Sequence, residues 1–111
     1  MNATVLKDYQ EILAAIGRYV GGMNSGSEMM KTAFHANAII NANPIQVLYD
    51  VIDKKGKTEP AERIDILDVV GDMACARVVL ENCHGNNYID FLQLLKTDDG
   101  WKIVSKVYQQ Y

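Results

Sequence analysis

The feature that most constrains the fold is a pair of apolar runs near the end of the chain, Tyr88–Leu95 and Trp101–Tyr108. A short polar segment that ends in Gly100 separates them. Glycine can adopt the positive φ angle that a tight connection needs, so the pattern predicts a β-hairpin. Both parities of the first run are largely apolar, whereas a strand with one face in water alternates more cleanly. We therefore expect a sheet that is covered on both faces.

Strand alternation sorts the hairpin residues into two faces without deciding which face meets the helices. The first strand places Tyr88, Asp90, Leu92 and Leu94 on one face and Ile89, Phe91, Gln93 and Leu95 on the other; the second places Trp101, Ile103 and Val107 on one face and Val104 and Tyr108 on the other. Whichever set faces away from the helices forms an apolar patch. Such patches usually mark interfaces, and a two-fold interface uses the same patch on both subunits. We therefore expect a homodimer formed through the sheet face.

Length and charge exclude several classes of protein. The 111 residues suffice for one domain with a core, over 1–111, and are too few for two. The net charge of −3 comes from 11 basic and 14 acidic residues without a Lys/Arg cluster, which argues against nucleic-acid binding. No apolar run approaches the roughly 20 residues of a membrane helix. Lys7, Asp8 and Glu11 interrupt the N-terminal apolar pattern, which is not that of a signal peptide. We expect a cytoplasmic protein without membrane contact.

The sequence contains no recognisable metal or cofactor motif. Cys75 and Cys83 fall on one predicted strand, where their separation is roughly 26 Å. A disulfide needs Cα atoms within about 7 Å, so these two thiols cannot pair. Two thiols without a CxxC motif do not form a metal site, and the chain has no Gly-rich phosphate loop or Gly-x-Ser-x-Gly elbow. We expect neither a metal nor a cofactor.

The remaining patterns predict helices first and strands afterwards. The first helix runs from Val5 to Val20, is capped by Asn2 or Thr4, and is ended by Gly21-Gly22. A short second helix begins with a Ser25–Glu28 capping box and has Phe34 among its apolar positions, and a strand follows at Ala38–Ala42. The third helix starts at Asn43-Pro44 and ends near Gly56, and strands at Ile64–Val70 and Met73–Cys83 precede the hairpin. Helices followed by a meander of four strands indicate an α+β protein.

Several stretches make the chain resemble the nuclear transport factor 2-like (NTF2-like) superfamily, and more narrowly its "putative lumazine-binding" branch. They are Phe34–Ala38, Gly71–Ala74, Tyr88–Leu92, Asp99–Val104 and Lys106–Tyr108. The resemblance covers nearly the whole chain. It implies a cone-shaped, cystatin-like fold in which three N-terminal helices pack on a curved, mainly antiparallel sheet. It also implies a pocket between the first helix and the sheet, and dimers that form sheet to sheet.

The superfamily includes ketosteroid isomerase, scytalone dehydratase and SnoaL-type polyketide cyclases, and this chain departs from its pattern in two places. Only Asn41–Asn43 separates the predicted short strand from the third helix, where the family has a longer hairpin, so one wall of the implied pocket is shortened. Asn37 stands where the family usually has an acidic residue. Asn37 therefore cannot be the carboxylate base that isomerase-type members place early in the sheet.

Asp90 is the candidate catalytic residue. If its strand face lines the pocket, burial would raise the pKa of Asp90 and make it an acid or base; the alternative is a structural salt bridge with a neighbour such as Arg77. The resemblance implies that a tyrosine of the first helix donates a hydrogen bond to an oxyanion, although such a tyrosine could equally pack in the core. The candidate ligand-binding residues are Tyr9, Tyr19, His35 and Tyr88. The alternative for His35 is a hydrogen bond to the local backbone.

Three functions remain open at this point. The first is a homodimeric domain that binds a small apolar ligand in its pocket. The second is an enzyme, namely an isomerase, dehydratase or cyclase, that acts on a hydrophobic substrate; it predicts that Asp90 faces the cavity with a Tyr or His within hydrogen-bond reach. The third is a protein-interaction module that uses the sheet face.

Overall fold

The computed structural model describes residues 5–111, and the caps expected at Asn2 or Thr4 lie outside this range. Its elements are α1 (Val5–Ser25), α2 (Ser27–Lys31), β1 (Phe34–Ile40), β2 (Asn43–Pro44), α3 (Gln46–Lys55), β3 (Ala61–Val70), β4 (Met73–Cys83), β5 (Asn86–Thr97) and β6 (Gly100–Gln110). The predicted α+β class is confirmed. Within the described range, no helix is both long enough and apolar enough to cross a membrane.

The strands form one curved sheet in the order β2-β1-β6-β5-β4-β3. β3 to β6 pair as consecutive antiparallel neighbours, which confirms the predicted meander and its closing hairpin, whereas β1 runs parallel to β6. The core lies between the helices and one face of the sheet, and its side chains include Ile12 and Ile16 from α1, Leu92 and Leu94 from β5, and Ile103 from β6. This is the fold that the resemblance implies.

The prediction that Gly21-Gly22 ends the first helix is wrong, because α1 continues to Ser25. The reason is packing between helices. A Cβ atom added at Gly22 would lie 2.7 Å from Cβ of Met30, so the glycine lets α2 approach α1 closely. The predicted capping box at Ser25 is also absent: the residue before α2 is Gly26, at φ 107°, and no side chain caps the helix.

The region between α2 and α3 also differs from the prediction. Phe34 begins β1 instead of continuing the second helix. Asn43-Pro44 does not start the third helix; it forms β2, in which Pro44 pairs with Ile39, and α3 begins at Gln46. Asn41 and Ala42 both have positive φ angles, so the chain reverses tightly and returns as a short edge strand. Proline is tolerated in such an edge position because its missing N–H group is not needed there.

A β-bulge in β6 changes which residues face the helices. Leu94 pairs with Ile103 but Gln93 pairs with Ser105, so Val104 is the extra residue. Beyond a bulge the alternation of faces is displaced by one position. The prediction that Val107 shares a face with Trp101 and Ile103 is therefore wrong. Val107 is 54% exposed on the outer face, whereas Lys106 is only 5% exposed and points inward.

The hairpin is attached to the start of α1 through one buried carboxylate. The indole Nε1–H of Trp101 donates a hydrogen bond to Oδ1 of Asp8 over 3.1 Å. The ammonium group of Lys96 lies 3.0 Å from the same oxygen. Trp101 and Asp8 are both buried. This contact joins residues far apart in the chain and fixes α1 against the last two strands.

Candidate functional site

A cavity of about 230 Å³ opens between α1, α3 and the inner face of the sheet. Its lining combines the apolar side chains of Met23, Ile40, Val47, Leu48, Val51, Ile52 and Leu80 with the polar groups of Lys55, Cys83, His84, Tyr88, Asp90, Lys106 and Tyr108. Small-molecule sites are typically apolar concavities with a few convergent polar groups. For scale, an apolar cavity of about 150 Å³ accepts benzene. This cavity therefore has room for one substituted ring.

Asp90 and Tyr19 form a hydrogen-bonded pair beside this cavity. The Tyr19 hydroxyl donates to Oδ2 of Asp90 over 2.6 Å, and both side chains are fully buried. Oδ1 of Asp90 has no hydrogen-bond partner among residues 5–111. Arg77, considered above as an ion-pair partner for Asp90, lies on the opposite face of the sheet because it pairs in register with Phe91. The carboxyl group thus has one oxygen held by Tyr19 and one buried oxygen without a hydrogen bond, on a residue that lines the cavity.

Burial controls the protonation of this pair. It raises the pKa of the Asp90 carboxyl group, although the nearby Lys106 charge and the Tyr19 hydrogen bond partly oppose the shift. Burial, followed by the charge of Asp90, holds the pKa of Tyr19 well above its ordinary value. Tyr19 therefore remains a hydrogen-bond donor at neutral pH. Asp90 binds a proton more readily than an exposed aspartate does, which suits a group that exchanges protons.

Lys106 also lines the cavity, although its sequence position alone did not mark it as a site residue. Its Nζ atom lies 4.6 Å from the ring centroid of Tyr19 and 5.0 Å from that of Tyr108. Burial lowers the pKa of the Lys106 amine, opposed by the charges of Asp90 and Cys83. The only signal in the sequence is a lysine within an apolar run, and its inward direction depends on the bulge at Val104.

Two further polar residues of the lining lie at the end of β4 and directly after it. Cys83 is a buried free thiol at the end of β4, and burial raises the pKa of its thiol, so it is a poor nucleophile. His84 is half-buried and lines the cavity. It has a positive φ angle, and its Nε2 atom lies 2.8 Å from the carbonyl oxygen of Gly56.

The structure gathers some of the predicted site residues and separates others. Asp90 and Tyr88 line the cavity, where the Tyr88 ring packs edge-on against Tyr108, and Tyr19 contacts the cavity only through its hydrogen bond to Asp90. Tyr9 is 37% exposed on α1 and does not line this cavity. His35 lines a separate concavity of about 350 Å³ beside Tyr49, and its Nδ1 atom accepts a hydrogen bond from the backbone N–H of Asn37. His35 thus makes the local backbone contact considered as its alternative.

No metal-binding cluster is found in the described part of the chain. There, no three side chains of His, Cys, Asp or Glu come together in a way that could hold an ion. The polar groups of the cavity are a carboxyl group, two amines, a thiol, an imidazole and two phenols. Acid–base, hydrogen-bonding and nucleophilic chemistry are therefore available from the side chains themselves.

Known proteins resemble this chain over nearly its whole length. Residues 7–109 match the model of a family described as "Putative lumazine-binding". A protein named Aldolase FrzH, from Cladobotryum sp., is 27% identical over an alignment 115 residues long; the alignment covers 94% of this chain and 92% of that protein.

Two solved structures of NTF2-like proteins of unknown function are similar in both fold and sequence. One, from Shewanella baltica OS155, is 32% identical with a TM-score of 0.86 and covers 99% of this chain and 98% of its own. The other, from Methylobacillus flagellatus KT, is 32% identical with a TM-score of 0.91 and covers 98% of this chain and 96% of its own.

Proposed function

Because the chain belongs to the "putative lumazine-binding" family of NTF2-like domains, we propose that its cavity binds a small, largely apolar molecule carrying a carbonyl or hydroxyl oxygen. The observation that carries this proposal is the Tyr19–Asp90 hydrogen bond beside an otherwise mainly apolar cavity. Apolar walls supply affinity through burial, whereas a few fixed polar groups select the ligand.

The unpartnered Oδ1 atom of Asp90 supports a polar ligand over a pure hydrocarbon. A buried polar atom without a hydrogen bond costs about 1 to 3 kcal/mol. A ligand hydroxyl group could donate to Oδ1, and a ligand carbonyl group could accept from the protonated carboxyl group. Either contact removes that cost, so the site favours molecules with an oxygen at the deep end and an apolar body towards α3.

A second candidate function is an enzyme that moves a proton at a carbon atom next to a carbonyl group. Asp90 faces the cavity with Tyr19 in hydrogen-bond reach, which is the arrangement that the enzyme hypothesis predicted. In such a reaction Asp90 would transfer the proton, and Tyr19, whose hydroxyl donates to Oδ2 of Asp90, would hold the carboxyl group in position. The relative named as an aldolase supports carbonyl chemistry of this kind. Isomerases, dehydratases and cyclases use the same proton transfer.

A cytoplasmic location of the protein remains a prediction from the sequence.

Blocking the cavity mouth is expected to abolish ligand binding. Val47 lines the cavity and is half exposed, so Val47→Trp would fill the entrance with an indole ring. We expect compounds such as benzyl alcohol or acetophenone to perturb the amide NMR signals of β5 and β6 in the wild type and to leave them unchanged in Val47→Trp. Tyr19→Phe removes the hydrogen bond that orients the Asp90 carboxyl group and is expected to weaken ligand binding about 3- to 10-fold.

The matched control is Val5→Trp, which adds the same ring at an exposed valine on α1, outside both the cavity lining and the sheet. This variant is expected to bind as the wild type does. Equal binding by the wild type and Val47→Trp would contradict the proposal. So would a wild-type protein that shows no cavity perturbation with any compound of a panel of small aromatic alcohols and ketones.

We also propose that the outer face of the sheet pairs with a second copy of the chain. Phe91, Leu95, Val107, Met73 and Val70 are all about half exposed there. Asp65 and Arg77 pair in register and place opposite charges on the same face. Under two-fold symmetry, apolar residues would meet apolar residues and each charge could meet its opposite. Burial of such a patch drives association because it removes apolar surface from water.

Glutamate at the outer face is expected to convert the dimer into a monomer. Leu95→Glu would bury a charge in the proposed interface, and multi-angle light scattering of the eluting protein measures the resulting mass. Leu13→Glu is the matched control, because Leu13 on α1 and Leu95 on β5 are 44% and 45% exposed. If only Leu13→Glu dissociates the dimer, the interface lies on the helix. A monomeric wild type would instead favour the hypothesis of a sheet face that binds a different protein.

A further inference from the structure

We infer that Lys106 is an imine-forming lysine, whose amine condenses with the carbonyl carbon of an aldehyde or ketone held in the cavity. This inference rests on the proposed function, since it assumes that the cavity admits a small molecule. It adds a covalent step and narrows the ligand to carbonyl compounds. The residue that carries it lies outside the Tyr19–Asp90 pair and was not selected from the sequence.

The first support is the position of the Nζ atom. Lys106 is 5% exposed and belongs to the cavity lining, so its amine meets the cavity rather than bulk water. Within residues 5–111 its Nζ atom makes no ion pair or hydrogen bond, and its neighbours are the faces of two aromatic rings. Lys96 pairs with Asp8, Lys31 pairs with Glu28, and Lys102 donates to a backbone carbonyl. Lys55 also lines the cavity but is exposed to water, so Lys106 differs from it by its burial. The amine of Lys106 is thus placed for contact with a ligand.

The second support is the balance of charges around this amine. A lysine attacks a carbonyl group only in its neutral form, and an apolar environment favours that form. Burial lowers the pKa of Lys106 more than the charges of Asp90 and Cys83 raise it. The rings of Tyr19 and Tyr108 attract the cationic form but carry no formal charge that would hold it. Lys106 therefore has a larger neutral fraction than an exposed lysine at the same pH.

The third support is an acid that lines the same cavity. The neutral amine adds to the carbonyl carbon, and the carbonyl oxygen takes a proton from the Asp90 carboxyl group. The nitrogen then returns one proton to the Asp90 carboxylate, giving a neutral carbinolamine. Asp90 protonates the departing hydroxyl group, which leaves as water while the C=N⁺ bond forms. One amine, one acid and one carbonyl compound thus become an iminium ion, a carboxylate and water, and no further reactant is needed. Burial, which raises the pKa of Asp90, favours the protonated form that starts the sequence.

Reductive trapping tests this inference directly. The wild-type protein is incubated with benzaldehyde and sodium cyanoborohydride at neutral pH, and peptide mapping by tandem mass spectrometry locates the benzyl groups. Benzaldehyde is suitable because its ring fits the cavity volume. We expect most of a single added benzyl group at Lys106. In Lys106→Arg, which keeps the positive charge but cannot form an imine, this adduct should be absent. Lys54→Arg removes an exposed lysine that does not line the cavity and should leave labelling at Lys106 unchanged.

Benzyl alcohol separates failure of this inference from failure of the proposed function. It has nearly the same shape as benzaldehyde and cannot form an imine, so its binding reports on the cavity alone. If benzyl alcohol perturbs the cavity signals while benzyl groups appear on exposed lysines and not on Lys106, the inference is wrong and the proposed binding function stands. If neither compound reaches the cavity, both are wrong. The wild-type peptide map decides the matter even if Lys106→Arg fails to fold.

Discussion

The double substitution Asp90→Asn with Lys106→Met is expected to raise the free energy of unfolding at pH 7 by about 1 to 4 kcal/mol, the range found when buried charged pairs are replaced by similar uncharged groups. Both side chains are buried beside the same cavity, and each loses hydration when the chain folds. Asparagine keeps an oxygen that accepts from Tyr19, and methionine keeps most of the lysine stem. The packing is therefore retained, while two groups whose charged forms are disfavoured by burial are replaced by groups that do not ionise.

The directions of the two pKa shifts give the pH dependence. Burial raises the pKa of Asp90 above 3.8, so the stability contributed by its protonated form is present below that value and lost as the pH rises through the raised pKa. Burial lowers the pKa of Lys106 below 10.5, so the stability contributed by its neutral form is present above that value and lost as the pH falls through the lowered pKa. Between 3.8 and 10.5 the double variant should therefore show a flatter pH profile of unfolding free energy than the wild type.

Urea denaturation of the wild type, both single variants and the double variant measures this effect as a double-mutant cycle. Each single substitution leaves the other group without its opposite charge, so each should stabilise less than half as much as the pair, or destabilise. Strictly additive single effects would show that the two groups are not coupled. A double variant that is less stable than the wild type at pH 7 would show that their charges hold the cavity together. Stabilisation by the double substitution, in contrast, would mean that Asp90 and Lys106 lower the stability of the wild type. Functional residues often have such a cost in stability.

Truncation of Trp101 to alanine is expected to lower the free energy of unfolding by about 3 to 5 kcal/mol, the usual cost of removing a large buried aromatic side chain. Trp101 is among the largest fully enclosed side chains and begins β6 directly after the hairpin turn. The substitution would leave a cavity and would also remove the indole donor to Asp8. Urea denaturation monitored by far-ultraviolet circular dichroism gives the change, since the indole fluorescence is lost with the residue.

Two companion variants show which part of the effect is packing. Trp101→Phe keeps much of the ring volume but loses the N–H group, and Asp8 still contacts Lys96, so a smaller cost of about 1 to 3 kcal/mol is expected. Tyr111→Ala removes an exposed aromatic ring near the same sheet and should change stability by less than about 0.5 kcal/mol. If Trp101→Ala costs no more than Tyr111→Ala, the hairpin is not anchored through this residue.

The architecture was predictable because its strongest signals are local. The closing hairpin, the strand Met73–Cys83 and the α+β order follow from alternation and turn residues, and the structure confirms all three. The errors occur where tertiary packing overrides local preference. Gly22 is a helix terminator by propensity but serves a close helix contact, and Asn43-Pro44 is a helix start by propensity but pairs as an edge strand.

The candidate site was predictable only in part. Asp90 stands out as a carboxylate in an apolar strand, and the structure places it at the cavity. Tyr9 and Tyr19 could not be distinguished, because both lie on the apolar side of the same helix, where ten residues correspond to about 15 Å along the axis. The structure distinguishes the two tyrosines, because the cavity lies near the C-terminal part of α1, where Tyr19 contacts Asp90. Lys106 was missed because strict alternation does not include the bulge that separates it from Ile103.

The bulge also leaves the final strand with a competing register. If β6 slipped by one residue beyond Ile103 so that Val104 paired normally, Val107 would be buried and Lys106 would reach water, an exchange that hydrophobicity alone favours. The same slip would carry Tyr108 out of the interior and bring Gln109 inward, which opposes it. The last strand is therefore a point of local frustration, where misregistered hairpins can form during folding. The residue that gives the cavity its amine is also the one that makes correct pairing of this strand difficult.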